Sequence, residues 1–314
     1  MNSKFVNKPQ LIAIIGPTAS GKTDLAIKLA KKFNGAVISA DARQIYKGIP
    51  IGTNQPQGKW QMAKDKLLQA LGERKIYLVQ GIPHFFIATF KPNRRYSAFD
   101  YQQSVYRLLP KLLASGYLPI LVGGTGLYIS SIVEGYEFPK GKPNLKLRER
   151  LDKLSTIQLL KRLKKIDLNT YKKIDKKNRR RIIRALEYCL STKIPFSRDR
   201  IKKGLTDHLI LGLNPSREKL YKKINQRVDK MIKRGLLKEV RRLIKNYPRS
   251  PALATIGYQE LVSVIKSSAE LRPAVNLIKQ HTRNFAKRQM TWFKKMPKVL
   301  WFDNASAVIK FFKK

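Results

Sequence analysis

Residues 16–23 read GPTASGKT, a complete G-x-x-x-x-G-K-[ST] pattern. Gly16 and Gly21 let backbone N–H groups turn toward an anion, with Pro17, Thr18, Ala19 and Ser20 forming the span between them. Lys22 adds a point charge, Thr23 offers a hydroxyl to Mg²⁺, and the following helix contributes its N-terminal dipole. This is chemistry for gripping phosphate, and ATP or GTP is the default ligand. Two features point elsewhere. A Walker-type NTPase ends a buried strand in Asp to hold its metal, but here the strand PILV runs into GGTG (123–126), and no N-K-x-D guanine-reading motif occurs. A loop that holds pyrophosphate as a leaving group requires only the cradle and the cation.

Asp41 ends the apolar run AVISA and opens DARQIYKGIPIGT. A carboxylate at the C-terminal edge of a parallel sheet, beside a phosphate loop, lies where such folds bind ligands. It can accept a proton from a nucleophile, or it can simply cap the turn that follows. NRRRIIRALE (178–187) reads as a helix with Ile182, Ile183 and Leu186 inward and Arg180, Arg181 and Arg184 outward. Those arginines suit phosphate clamping, and suit a nucleotide-kinase lid equally well.

The elements that position these residues alternate. Strands at 11–15 and 36–40 flank a helix from Lys22 to Phe33. A third strand at 119–123 follows a helix that Pro110 is expected to kink or split, and further strands are expected at 208–213 and 299–302. The pattern implies an α/β fold, a P-loop core with a largely parallel sheet. Between Phe138 and Thr206 it gives way to FPKGKPN and amphipathic basic helices. The expected division is therefore a core of residues 1–138 and 207–314 with a smaller helical insertion at 139–206. From Arg217 to Met296 the chain reads as helical, broken near Gly235 and at 246–251.

The 314 residues include 66 Lys+Arg against 20 Asp+Glu, a balance that draws polyanions and above all nucleic acid. Residues 140–206 hold 23 basic and 6 acidic residues, a net of +17 in about a fifth of the chain. That concentration points to a surface for a polyanion, beyond compositional drift. No apolar run reaches membrane-span length and the N-terminus lacks a signal-peptide pattern. The single Cys189 excludes an internal disulfide or a Cys-built zinc site. The expectation is a soluble cytoplasmic protein that binds no membrane, and a monomer.

The motifs GPTASGKT, ISADARQIYKGIPIGT, PHFF with RRYSAFDY, PILVGGTGLY, RRIIRALE, IGYQEL and TRNFAKRQMTWF occur in this order. Together they resemble the tRNA dimethylallyltransferase (tRNA isopentenyltransferase) family, from about Leu11 to Asp303. The resemblance implies transfer of a dimethylallyl group from its diphosphate to the exocyclic amine of the adenosine 3′ of a tRNA anticodon, with Mg²⁺. The loop from Gly16 to Thr23 would then hold the donor diphosphate, with Arg217 near it. Asp41 matches the family's general base and Thr125 a position beside the acceptor adenosine. Asp41, Ala42, Arg43 and Gln44 match a tRNA-contacting stretch, although Ala42 stands where the family commonly has Ser. The resemblance extends tRNA contact to Arg148 and the Arg180/Arg181/Arg184 helix. It adds Gly257 and Tyr258 of IGYQEL, and Arg283, Lys287 and Arg288 of the last long helix. His84 also matches the family, as a structural residue or a substrate contact. Two other readings remain open: an NTP-dependent nucleotide kinase, and a non-catalytic RNA-binding protein whose loop docks backbone phosphate.

Overall fold

The computed structural model describes residues 9–62, 75–138, 144–197, 207–267 and 269–313. The chain divides into two compact units, Met1–Gly135 with Gly204–Lys314, and Tyr136–Lys203. Part of the expected linker, residues 139–143, lies outside the described residues.

The larger unit is built on strands β1 (Leu11–Ile15), β2 (Gly35–Ser39), β3 (Lys59–Met62), β4 (Lys75–Val79), β5 (Ile82–Phe85), β6 (Leu118–Val122), β7 (His208–Leu213) and β8 (Val299–Phe302). Their order across the sheet is β3-β4-β5-β2-β6-β1-β7-β8, parallel from β5 to β8, with β3 and β4 antiparallel at one edge. Every residue of β1 is buried: Leu11, Ala13 and Ile15 join one core cluster, while Ile12 and Ile14 join another. Both faces of the sheet are covered, which is why β1 reads as an unbroken apolar run. One face carries α1 (Lys22–Phe33) through Leu25, Ala26, Leu29 and Ala30. Burying each leucine contributes roughly 1.5–3 kcal/mol. The other face carries α2 (Ala98–Ala114) and α3 (Gly126–Val133).

α2 runs through Pro110 as one helix, so the expected split does not occur. A mid-helix proline costs about 3 kcal/mol. Tyr101, Val105, Leu109 and Leu112, all buried on one face, offset that cost. A capping box between Ser97 and Asp100 fixes the start.

The smaller unit packs α4 (Leu145–Asp152), α5 (Thr156–Ile166), α6 (Leu168–Lys173) and α7 (Arg179–Thr192) around Leu151, Leu159, Leu163, Ile182, Ile183 and Leu186. Lysines 161, 164, 165, 172 and 173 and Arg180 and Arg181 are exposed around that core. The larger unit continues with α8 (Arg217–Lys233), α9 (Leu236–Asn246), α10 (Gln259–Ser267), α11 (Leu271–Phe293) and α12 (Ala305–Phe311). Breaks fall at Gly235, whose φ of +94° suits only glycine, and at residues 247–258.

Candidate active site

β1, β6 and β2 lie side by side, so the loops that follow them share one edge of the sheet. After β1 the phosphate loop turns at Gly16, where an added Cβ would sit 2.6 Å from the Leu213 carbonyl oxygen. It turns again at Ala19 (φ +64°) and Gly21 (φ +90°), which caps α1. Ser20 Oγ is buried with no hydrogen-bond partner, a donor in the middle of the loop. Lys22 folds back, its Nζ donating to the Pro17 carbonyl at 2.6 Å.

A cavity of about 360 Å³ opens between the loops. Thr18, Ala19 and Gly21 to Asp24 line one end, with Lys223 and Arg227 of α8 and Phe285 and Gln289 of α11. Asp41, Gln44, Asn54, His84, Gly123 and Gly124 line the other. Arg227 donates from Nη1 to Thr18 Oγ1 at 3.0 Å. Burial and the Arg227 charge pull the Lys22 ammonium down to about 7, against the opposing pull of Asp41. Burial also draws Arg227 down to about 10, still cationic at neutral pH. Two close cations against one carboxylate form a site organised for an added anion.

Asp41 fixes the turn after β2 and also lines the cavity. Its Oδ1 accepts from the backbone N–H of Arg43 at 2.8 Å and of Gln44 at 3.3 Å, fixing the turn. Neither bond uses Oδ2, and the residue lines the cavity beside the phosphate loop. Thr125 sits off the cavity lining; its Oγ1 accepts from the Ala42 N–H at 3.0 Å, and its own N–H donates to the Ala40 carbonyl. It therefore braces the loop that carries Asp41. Gln44 donates from Nε2 to the Thr53 and Asn54 carbonyls, both at 3.1 Å, and Arg43 to the Pro251 carbonyl.

Several other expected residues have partners within the protein. Arg217 lies on the exposed first turn of α8 with its guanidinium 5.2 Å from the Tyr221 ring; Arg227, nearly three turns on, is the arginine at the loop. Tyr258 is wholly buried and donates to Glu239 Oε1 at 2.6 Å, and Gly257 is buried beside it, so neither presents a surface to RNA. Arg148 and Arg184 are held by the buried Glu187, at 2.9 Å from Nε and Nη2 and at 2.7 Å from Nη1. Burial alone would raise the Glu187 carboxyl, but these arginines and the Asn144 N–H hold it below the usual carboxylate range. Arg283 bonds Asn225 at 2.8 Å, while Lys287 and Arg288 remain exposed.

Lys223, Arg227 and Gln289 are among the cavity residues not singled out from sequence. A polar residue on the buried stripe of Ala286 and Phe293 was the available signal for Gln289. His84 is buried with Nδ1 2.9 Å from the Ile82 carbonyl and Nε2 unpartnered; burial drives it down to about 4, so the ring is neutral.

Thr18 and Thr23 both line the cavity, as do Asp24 and Asp41; Thr18 Oγ1 already takes the Arg227 guanidinium. No cluster of three His, Cys, Asp or Glu side chains capable of holding a metal occurs among the described residues. This donor set suits Mg²⁺ bound through one or two protein oxygens and the ligand's phosphates.

A phosphate loop facing a turn-fixed carboxylate across one cavity, on a parallel sheet covered by helices, defines a P-loop-type group-transfer enzyme. Residues 44–296 match the IPP transferase family, and the chain belongs to it. It is 39% identical over 310 residues to the tRNA dimethylallyltransferase of Staphylococcus carnosus (strain TM300), covering 95% of this chain and 92% of that protein. The crystal structure of tRNA Δ2-isopentenylpyrophosphate transferase from Staphylococcus epidermidis is similar with a TM-score of 0.66 at 36% identity, covering 98% and 99% of the two chains. A eukaryotic dimethylallyltransferase captured acting on tRNA gives a TM-score of 0.77 at 27% identity, covering 96% of this chain and 75% of that one.

Proposed function

We propose that this enzyme transfers a dimethylallyl group from dimethylallyl diphosphate to the exocyclic amine of the adenosine 3′ of a tRNA anticodon, releasing diphosphate. Family membership supports tRNA prenylation, and the observation that carries the chemistry is the pairing of a cationic phosphate loop with Asp41 in one cavity. The diphosphate lies against the N–H groups of Ala19, Gly21, Lys22 and Thr23 and the cations of Lys22 and Arg227. As the allylic carbon–oxygen bond breaks, its electron pair leaves with the diphosphate, and these groups stabilise the growing charge. The adenosine nitrogen bonds to the allylic carbon and gives up one proton, which Asp41 Oδ2 accepts. Mg²⁺, held by Thr23 and the phosphates, would add neutralising charge to the leaving group.

The acceptor base enters as a splayed-out nucleotide from a single-stranded loop. The basic helices of 144–197 and the exposed Lys287 and Arg288 provide phosphate contacts. The enzyme works as a cytoplasmic monomer in this reading. A kinase would require a metal-holding Asp after β6, where this chain has Gly123 and Gly124.

The test incubates the protein with Mg²⁺, unmodified tRNA and dimethylallyl diphosphate, then weighs the digested nucleosides. Adenosine gaining one five-carbon unit only with the isoprenoid donor is expected. ATP consumption without any such product overturns the reading.

A further inference from the structure

Gln289 occupies a position on α11 where packing calls for an apolar side chain. Ala286 and Phe293 on the same stripe are buried, and Gln289 itself is 5% exposed. Its amide is fully committed at both ends. Oε1 accepts from the Thr18 N–H at 2.8 Å and Nε2 donates to the Gly124 carbonyl at 2.8 Å. One side chain thus satisfies a backbone donor of the phosphate loop and a backbone acceptor of the turn after β6. That turn continues into Thr125, whose hydroxyl and N–H hold Ala42 and Ala40 on either side of Asp41. Arg227 grips Thr18 from the other side.

We infer that Gln289 is a positioning residue that sets the spacing between the leaving-group loop and the loop carrying the proton acceptor, through an unbroken run Thr18–Gln289–Gly124–Thr125–Ala42. This rests on the prenyl-transfer reading for the identity of the two half-reactions; the geometry of the run does not. Transfer is sensitive to ångström misplacement of reacting groups, so the loss falls on the chemical step more than on either ground-state complex.

Two variants strike the same bond from opposite sides. Gln289→Met keeps the volume and removes both hydrogen bonds. Gly124→Ala leaves Gln289 in place but puts a Cβ 2.2 Å from Nε2, displacing the amide. Each is expected to lower single-turnover transfer at saturating substrates at least 10-fold. tRNA Kd should stay within 2-fold of wild type, and the Kd of inorganic diphosphate with Mg²⁺ should weaken about 5-fold. The double variant should lose no more than the worse single one. Transfer within 3-fold of wild type in both variants, additive losses, or losses matched by equal loss of tRNA binding overturn the inference. If Gln289→Met does not fold, Gly124→Ala alone decides it on the same criteria. Should wild type make no prenylated product, the functional reading fails. The diphosphate arm then decides the inference, and unchanged diphosphate affinity in the variants refutes it.

Discussion

Arg227 offers the sharpest separation between what the sequence suggested and what the fold assembles. Arg227→Met keeps the apolar stem on α8 and removes the cation that touches Thr18 Oγ1 at 3.0 Å. A charge-assisted hydrogen bond from Arg227 to the leaving diphosphate would contribute about 1.5–3 kcal/mol, and about 1.4 kcal/mol is tenfold in rate. The expected loss in kcat/KM for the prenyl donor is therefore about 10- to 150-fold. Stability should change little. Arg227 pulls the neighbouring Lys22 down, a like-charge penalty, but it is also bonded to Thr18 and attracted to Asp41, so the methionine variant should melt near the wild-type temperature. Arg217→Met is the comparison, because that side chain is exposed on the first turn of α8 over the Tyr221 ring and is not part of the cavity lining; it should change kcat/KM less than Arg227→Met does. Steady-state transfer to an anticodon stem-loop, with thermal melts in parallel, reads all three. Equal losses in the two variants, or a melting temperature that falls together with activity in Arg227→Met, would refute the reasoning.

Asp41→Asn preserves an Oδ1 to accept from Arg43 and Gln44, so the turn stays intact while proton acceptance is lost. kcat should fall on the order of 100-fold or more with tRNA affinity unchanged, measured by single turnover and filter binding. Glu187→Gln should cost about 1–3 kcal/mol near pH 7, modest for a broken pair because the Arg148 and Arg184 side chains keep 35% and 32% of their exposure. The Glu187 carboxyl is depressed in the fold, so its stabilisation is complete above the ordinary 4.5 and is lost as pH falls through the lower folded value. Helical melts of wild type and variant should accordingly converge below that range, and a constant gap down to pH 3 would count against the network. Replacing Lys287 and Arg288 by alanine should weaken tRNA binding uniformly and lower the salt slope by roughly 0.7–0.9 per lost phosphate contact. An unchanged slope would remove that face of α11 from the interface.

The central strands were legible because a strand buried on both faces is a continuous apolar run. LIAII, AVIS, LPILV and HLILGL announce themselves in that way. β3 and β5 were not, for physical reasons. KWQM is exposed at every residue, and IPHF places a proline and a histidine in a four-residue strand. Among the candidate site residues, the loop at 16–23 and Asp41 stood out because each is defined by a local turn in the sequence. Arg227 and Gln289 act on partners 209 and 271 positions away, and spacing within their own helices carries no trace of that. Tyr258 shows the converse error. A tyrosine in a motif looked available, yet its hydroxyl completes a buried carboxylate, Glu239, that also takes the N–H groups of Ile51 and Gly52 at 2.9 Å.

The placement of β1 between β6 and β7 has a consequence for the birth of the protein. Ile12 pairs on one side with Ile120 and on the other with Leu209. Translation at about 5–20 residues per second separates the emergence of β1 and β7 by roughly 10–40 s. Throughout that interval one flank of the phosphate-loop strand has no neighbour, and the nascent chain carries an open apolar edge that holdase chaperones can recognise. Arg227 and Gln289 leave the ribosome later still. The cavity lining is therefore complete only after Gln289 is made, and shorter nascent chains cannot assemble it.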